Sequence, residues 1–233
     1  MRSFYLLNGW AMSSAAVQPL VNALAPLGTV TVLSLPAYIQ DSVENTLAHL
    51  EQSIPPQTHL IGWSLGGMLA LQLAAQSNYG SVTCLGANLS FIATPLWPWA
   101  MSQADFERFY KRQFTHPDRT LQRFAQLCCQ GANGTDVQPH SLVDPTYTSQ
   151  HLMWGLDALA QLNNHCAIDQ VRIPQLHLFA AHDALVPSQA QHQLQLRWPQ
   201  VRSELIPGSH VFPVQYPEKV ALAIQSFLGE QHV

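Results

Sequence analysis

The segment that most narrows what this chain can become is Gly62-Trp63-Ser64-Leu65-Gly66, set between an apolar run, His59-Leu60-Ile61, and a small-residue run, Gly67-Met68-Leu69-Ala70. The first run reads as a buried strand and the second as a helix, so five residues must turn the chain sharply from one to the other. Such a turn forces unusual backbone angles on its central residue, and a glycine two positions to either side lets neighbouring backbone pass close by. Ser64 is thereby displayed at a helix N-terminus, where free N–H groups face any negative charge that develops beside its hydroxyl.

The rest of the chain supports that context. Short apolar or β-branched runs at residues 3–7, 29–35, 58–62, 81–85, 175–181 and 203–206 predict strands, and patterns at 43–52, 67–76, 188–198 and 217–228 predict helices. Alternation of this kind implies the α/β class, a mostly parallel sheet with helices on both faces. Between residues 91 and 168 it stops. There Ser102-Gln103-Ala104-Asp105 reads as a capping box, Pro117 suits the first turn of a second helix, and Asp144-Pro145 is expected to open a third segment. With 233 residues in all, the expectation is one core, residues 1–90 and 169–233, carrying a helical cap of residues 91–168 over the carboxyl ends of the strands.

Composition removes several classes. Charged residues make up 10% of the chain and apolar ones 47%, with net charge −4, which excludes a disordered chain and gives no overall basic field for nucleic acid. The longest apolar runs fall far short of the roughly 20 residues that span a bilayer. The first eight residues lead straight into a strand pattern with no secretory h-region, so a cytoplasmic protein is expected, and a monomer. Four cysteines, Cys84, Cys128, Cys129 and Cys166, have neither disulfide-framework nor zinc-site spacing. No metal or organic cofactor is implied.

A serine hydroxyl is a weak nucleophile near neutral pH, so it needs a base, and the base needs an acid that fixes its tautomer. Of eleven histidines, His210 is best placed, because Gly208-Ser209-His210 follows the last strand pattern and precedes the last helix. Asp183 directly follows the strand at 175–181, whereas Asp144, Asp157 and Asp169 lie in or at the edge of the cap with no strand to hold them. After the strand at 81–85 the chain offers Asn88 and no carboxylate; His182 competes with His210 as base. The oxyanion donors expected are the backbone N–H groups of Trp10, in Asn8-Gly9-Trp10, and of Leu65, the residue after the serine. The Trp10 side chain reads equally as a core aromatic or a pocket wall.

With Asn8-Gly9-Trp10, Gly62-Trp63-Ser64-Leu65-Gly66-Gly67, His182-Asp183-x-x-Val186-Pro187 and Gly208-Ser209-His210 in order, the chain resembles the α/β-hydrolase superfamily over nearly its whole length. Within it, the chain is most similar to the carboxylesterases of biotin synthesis that demethylate pimeloyl-acyl-carrier-protein methyl ester. The Gly-Trp-Ser-Leu-Gly-Gly elbow carries that likeness, with Trp97-Pro98, Asp118-Arg119-Thr120 and Gln122-Arg123-Phe124-Ala125-x-Leu127 in the cap. The resemblance implies Ser64, Asp183 and His210 as catalytic triad, Trp10 and Leu65 at the oxyanion hole, and Trp10 with Phe124, Ala125, Gln126, Leu127 and Cys128 along the acyl channel. It also implies acyl-carrier protein as partner, with Arg119 and Arg123 at carrier-contacting positions. The chain departs from the family at Asn8, where histidine is usual, at Leu35-Pro36-Ala37-Tyr38, which lacks two usual glycines, and in having little or none of a first antiparallel hairpin.

Arg108, Lys111, Arg112, Arg119 and Arg123 are five of the chain's ten basic residues, within sixteen positions that hold one acid, Asp118. The cluster reads as a solvated helix face or as a docking site for an acidic partner or phosphate-bearing arm. Leu121, Phe124 and Cys128 form an apolar stripe that suits cap packing and a channel alike. The elbow by itself specifies acyl transfer and fits thioesterases, lipase-like esterases and carbon–carbon bond hydrolases as well, or a non-catalytic binding protein on the same scaffold.

Overall fold

The short apolar runs assemble as one six-stranded sheet in the computed structural model, which describes residues 1–132 and 137–230. Its strands are β1 (Arg2–Leu7), β2 (Gly28–Leu33), β3 (His59–Trp63), β4 (Ser81–Leu85), β5 (Gln175–Ala180) and β6 (Arg202–Ile206). All pair in parallel, in the order β2-β1-β3-β4-β5-β6, and no antiparallel strand joins them among the described residues. Because β1 lies between β2 and β3, the winding reverses there, and a crevice opens at the carboxyl ends of β1 and β3. Leu7 is in register with Gly62, so the loop after β1 and the turn after β3 leave the sheet side by side.

Burial explains the strand composition. Every residue of β4 is buried, as parallel strands covered on both faces require. The helix after the turn, α3 (Leu65–Gln76), is apolar on nearly all sides and buries most of its length against β3 and β4. It packs in turn against α2 (Val43–Ser53) and α7 (His165–Gln170), while α1 (Gln18–Leu24) packs against α10 (Pro217–Glu230). Of the remaining core helices, α8 (Gln189–Arg197) packs on β5 and β6, and the single turn α9 (Phe212–Gln215) packs on α1 and α10.

Between β4 and β5 lie α4 (Gln103–Thr115), α5 (Pro117–Cys129) and α6 (Ser149–Gln161), then α7. Pro117 opens α5 as expected, and the Ser102 hydroxyl caps α4 by accepting the Asp105 N–H at 3.1 Å; the expected capping box is only half formed, because the Asp105 carboxylate takes the Ser102 hydroxyl rather than its backbone N–H. The third segment starts later than Asp144-Pro145 suggested: Asp144 Oδ1 instead closes a turn by accepting from the N–H and hydroxyl of Thr146, and Thr148 with His151 forms the capping box of α6. Strand β2 also stops at Leu33 rather than residue 35, because Leu35–Ala37 coils into a 3-10 turn around Pro36, which has no N–H to continue a ladder.

Two buried asparagines pin the ends of this insertion. Asn88 Oδ1 accepts from Trp97 Nε1 at 2.8 Å and its Nδ2 donates to the Trp99 carbonyl at 2.7 Å. Asn164 Nδ2 donates to the Met68 carbonyl on α3, and Gln72 Nε2 donates to Asn164 Oδ1 at 2.6 Å. A buried amide with each end satisfied fixes orientation, since breaking either bond leaves a desolvated polar group costing about 1–3 kcal/mol. All four cysteines are free thiols, with Cys84 and Cys128 buried.

Candidate active site

Ser64 adopts φ 55° and ψ −120°, a left-handed conformation that costs a non-glycine residue about 1–3 kcal/mol and persists where the surroundings over-determine it. The surroundings here are close backbone. A Cβ on Gly66 would lie 2.2 Å from the Leu7 carbonyl oxygen, and one on Gly62 would lie 2.3 Å from that of Gly66. The Ser64 N–H donates to the Leu85 carbonyl at 2.8 Å, tying the turn to the end of β4. These contacts hold the serine where β3 becomes α3.

Asp183 and His210 meet beside it. Nδ1 of His210 lies 2.7 Å from Oδ2 of Asp183, with both side chains fully buried. The other carboxylate oxygen accepts from the N–H groups of Leu185 and Val186 at 2.8 and 2.9 Å, so the acid is oriented by backbone at one end and by imidazole at the other. Trp63, next to Ser64, donates its indole N–H to the His210 carbonyl at 3.0 Å and links the serine turn to the histidine loop. Nε2 of His210 is buried with no partner, and the Ser64 hydroxyl makes no hydrogen bond among the described residues. Nε2, the nitrogen a base would use, is thus left free while the ring is fixed from its other side; hydrogen bonds between candidate catalytic groups commonly close only when substrate is bound.

The competing residues are engaged elsewhere. Asp157 accepts from the Tyr110 hydroxyl at 2.8 Å and Asp169 from Trp198 Nε1 at 2.6 Å. His182 is exposed, with its N–H on the Gly208 carbonyl.

On the other side of Ser64 runs the loop after β1. A Cβ on Gly9 would sit 3.2 Å from Ser64 Cβ. No backbone acceptor takes the Trp10 N–H among the described residues, and Leu65 opens α3, where the first N–H groups lack an intrahelical acceptor. Asn8, where the family usually has histidine, has its carboxamide buried with neither atom partnered among the described residues.

The Trp10 side chain belongs to the cap contact. Its indole N–H donates to the Leu152 carbonyl of α6 at 2.8 Å, and its ring meets Phe109 of α4 and Phe124 of α5 edge-on at 5.3 and 4.8 Å. Gly155 is its seat, since a Cβ there would lie 2.3 Å from Trp10 Cδ1. Sequence reasoning gave no role to Gly155 or to the Trp63 indole; an isolated glycine inside a helical pattern was the available signal.

Along α5, Phe124, Ala125 and Cys128 are buried, Leu127 is half-buried and Gln126 is exposed; Thr120 joins the buried stripe, with Leu121 at its margin. Burial raises the Cys128 thiol well above its ordinary range, and the Asp183 carboxylate adds to the effect, so the C-terminal turn of α5 lies beside the acid. A cleft of about 860 Å³ runs between α4 and α5, bounded by Arg108, Arg112, Arg119 and Arg123 and closed by Leu185 and Pro187 behind the acid.

Residues 3–213 match the family described as the alpha/beta hydrolase fold, and this chain belongs to it. Its relatives include the biotin biosynthesis bifunctional protein BioHC of Cellvibrio japonicus, 33% identical over 95% of this chain and 46% of that protein. Another is the pimeloyl-[acyl-carrier protein] methyl ester esterase of Aeromonas hydrophila, 28% identical over 96% of this chain and 94% of that one. The chain therefore spans about half the length of the bifunctional relatives and nearly all of the esterase. Among solved structures, a bromoperoxidase from Bacillus anthracis superimposes with TM-score 0.86 over 98% of this chain and 92% of that one, at 18% identity, a likeness of fold alone. No helix among the described residues is long and apolar enough to cross a membrane.

Proposed function

We propose that this chain is a serine carboxylesterase that hydrolyses the methyl ester of pimeloyl-acyl-carrier protein. The observation that carries the reading is the buried Asp183–His210 pair, with Nε2 unpartnered, beside a serine strained into the left-handed region. In this reading Ser64 Oγ attacks the ester carbonyl while Nε2 of His210 takes its proton, and Asp183 stabilises the imidazolium. The N–H groups of Trp10 and Leu65 receive the oxyanion. Collapse of the tetrahedral intermediate breaks the bond to the methoxy oxygen, which takes the proton from Nε2 and leaves as methanol. Water, deprotonated by His210, then releases the acyl group from Ser64.

The core of residues 1–90 and 169–233 supplies this chemistry, and the cap of 91–168 supplies selection. Trp10 and the α5 residues Phe124, Ala125, Leu127 and Cys128 bound the acyl path, with Gln126 at its outer edge. Arg119 and Arg123, exposed and one helical turn apart on α5, engage the acidic carrier. Both bifunctional and single-function relatives are named for biotin biosynthesis or for the carrier-bound methyl ester, which favours this substrate over other esters. The enzyme is taken to act as a cytoplasmic monomer, without metal or organic cofactor.

The test is turnover of pimeloyl-carrier methyl ester by purified protein and by Ser64→Ala, following methanol release. Turnover by the wild-type protein that is lost in the variant supports the reading. Rapid hydrolysis of unrelated esters with none of the carrier-bound one would overturn it.

A further inference from the structure

We infer that the cleft between α4 and α5 is a phosphate site, and that its occupant is the phosphodiester at the root of a carrier-tethered acyl arm. Arg108 and Arg112 lie four residues apart on α4, Arg119 and Arg123 four apart on α5, and all four line the same cavity of about 860 Å³. Residues at that spacing share a helix face, so each wall presents a pair of guanidinium groups. His116, at the junction where α4 ends and α5 begins, also lines the space. The single carboxylate there, Asp105, is spent on Arg108 within its own helix.

Arg112, Arg119 and Arg123 make no ion pair or hydrogen bond with any side chain among the described residues. Three unpaired like charges around one concavity repel one another, and an anion between them, even a singly charged phosphodiester, relieves part of that repulsion. Planar guanidinium groups from two walls match the tetrahedral face of a phosphate with paired N–H donors, which a lone lysine cannot do. Lys111 does not line the cleft.

The floor gives the direction of the rest of the ligand. Phe109 and Phe124 line the cleft and both pack on Trp10, whose neighbour Gly9 lies against Ser64. An anion held at the mouth therefore heads an apolar path towards the nucleophile. That is the layout of a phosphopantetheine thioester, charged at its root and apolar at its acyl end. The assignment of the arm as source rests on the carrier reading above; the phosphate site itself does not.

Calorimetry on the whole protein with inorganic pyrophosphate tests the site without any turnover. One saturable site is expected, weakened at least tenfold in Arg112→Gln on one wall and in Arg119→Gln on the other. Binding should be retained in Arg172→Gln, whose arginine lies outside the cleft. Absence of saturable binding, or binding that survives either cleft substitution, overturns the proposal. The source is read by comparing carrier protein with and without its phosphopantetheine arm. A preference for the armed carrier that disappears in Arg112→Gln supports the arm as occupant, whereas equal binding of both forms overturns it. Failure of the esterase reading would be seen separately, as intact pyrophosphate binding with no hydrolysis of carrier ester.

Discussion

The corner of the sheet that holds Ser64 and the cleft of the cap that faces outward are built on opposite terms. At the corner the supports are redundant: Asp183 is held by two N–H donors and an imidazole, and the serine turn by two glycine contacts and a bond to β4. In the cleft, three of four arginines extend into solvent with nothing to hold them. Bond-making needs its atoms placed before substrate arrives, because reorganisation during the reaction raises the barrier. Recognition of a charged, mobile partner needs only potential of the right sign, and an exposed side chain can close on it afterwards.

If this contrast is right, damage at the corner should strike all esters alike. Asp183→Asn should lower kcat roughly ten-thousand-fold on both carrier-bound and small soluble esters, since an amide favours the wrong imidazole tautomer. Steady-state kinetics on the two substrates checks it; a loss confined to one would break the contrast. Next in size is an acid effect confined to the sheet. Burial pushes His177, on β5, down to about 4, so it stays neutral in the folded chain while the unfolded chain protonates near its ordinary value of 6.5. The stability concerned is fully present above pH 6.5 and declines as pH falls towards 4, by on the order of 3 kcal/mol. His177→Gln should flatten the fall of Tm between pH 7 and pH 4.

Effects in the cap should be smaller and selective. Reversing charge at Arg119 and Arg123 together should raise the ratio of KM for carrier-bound ester to KM for a small soluble ester about tenfold, with a weaker dependence on salt. An unchanged ratio would place the docking surface elsewhere. Smallest is the loss of one helix cap: Ser102→Ala should destabilise α4 locally by about 1 kcal/mol, seen as faster amide exchange in its first turn and unchanged protection in β3 and β4.

The corner was legible in the sequence because its rules are local. A strand, a glycine-flanked serine and a small-residue helix are adjacent in the chain, Asp183 comes soon after the apolar strand β5, and His210 lies in the Gly208-Ser209-His210 turn after β6. What escaped was set by distant partners. Trp10 finds its acceptor 142 positions away on α6, and only contact reveals that Gly155 must be glycine to receive it. Asp144-Pro145 looked like a helix start, but the cap that forms uses Thr148 with histidine at its third position, a weaker signature than glutamate there. The seven-residue α1 was too short for a periodic pattern to stand out.

The indole of Trp10 also bears on how such a protein can change over time. Its hydrogen bond ends on α6, its ring meets α4 and α5, and its backbone belongs to the loop beside Ser64. A lineage that exchanged this cap for another would strand a buried donor and disturb the loop in a single step. New preferences are therefore most accessible through replacements on the outward face of α4 and α5, where side chains can be altered one at a time without unseating the ring.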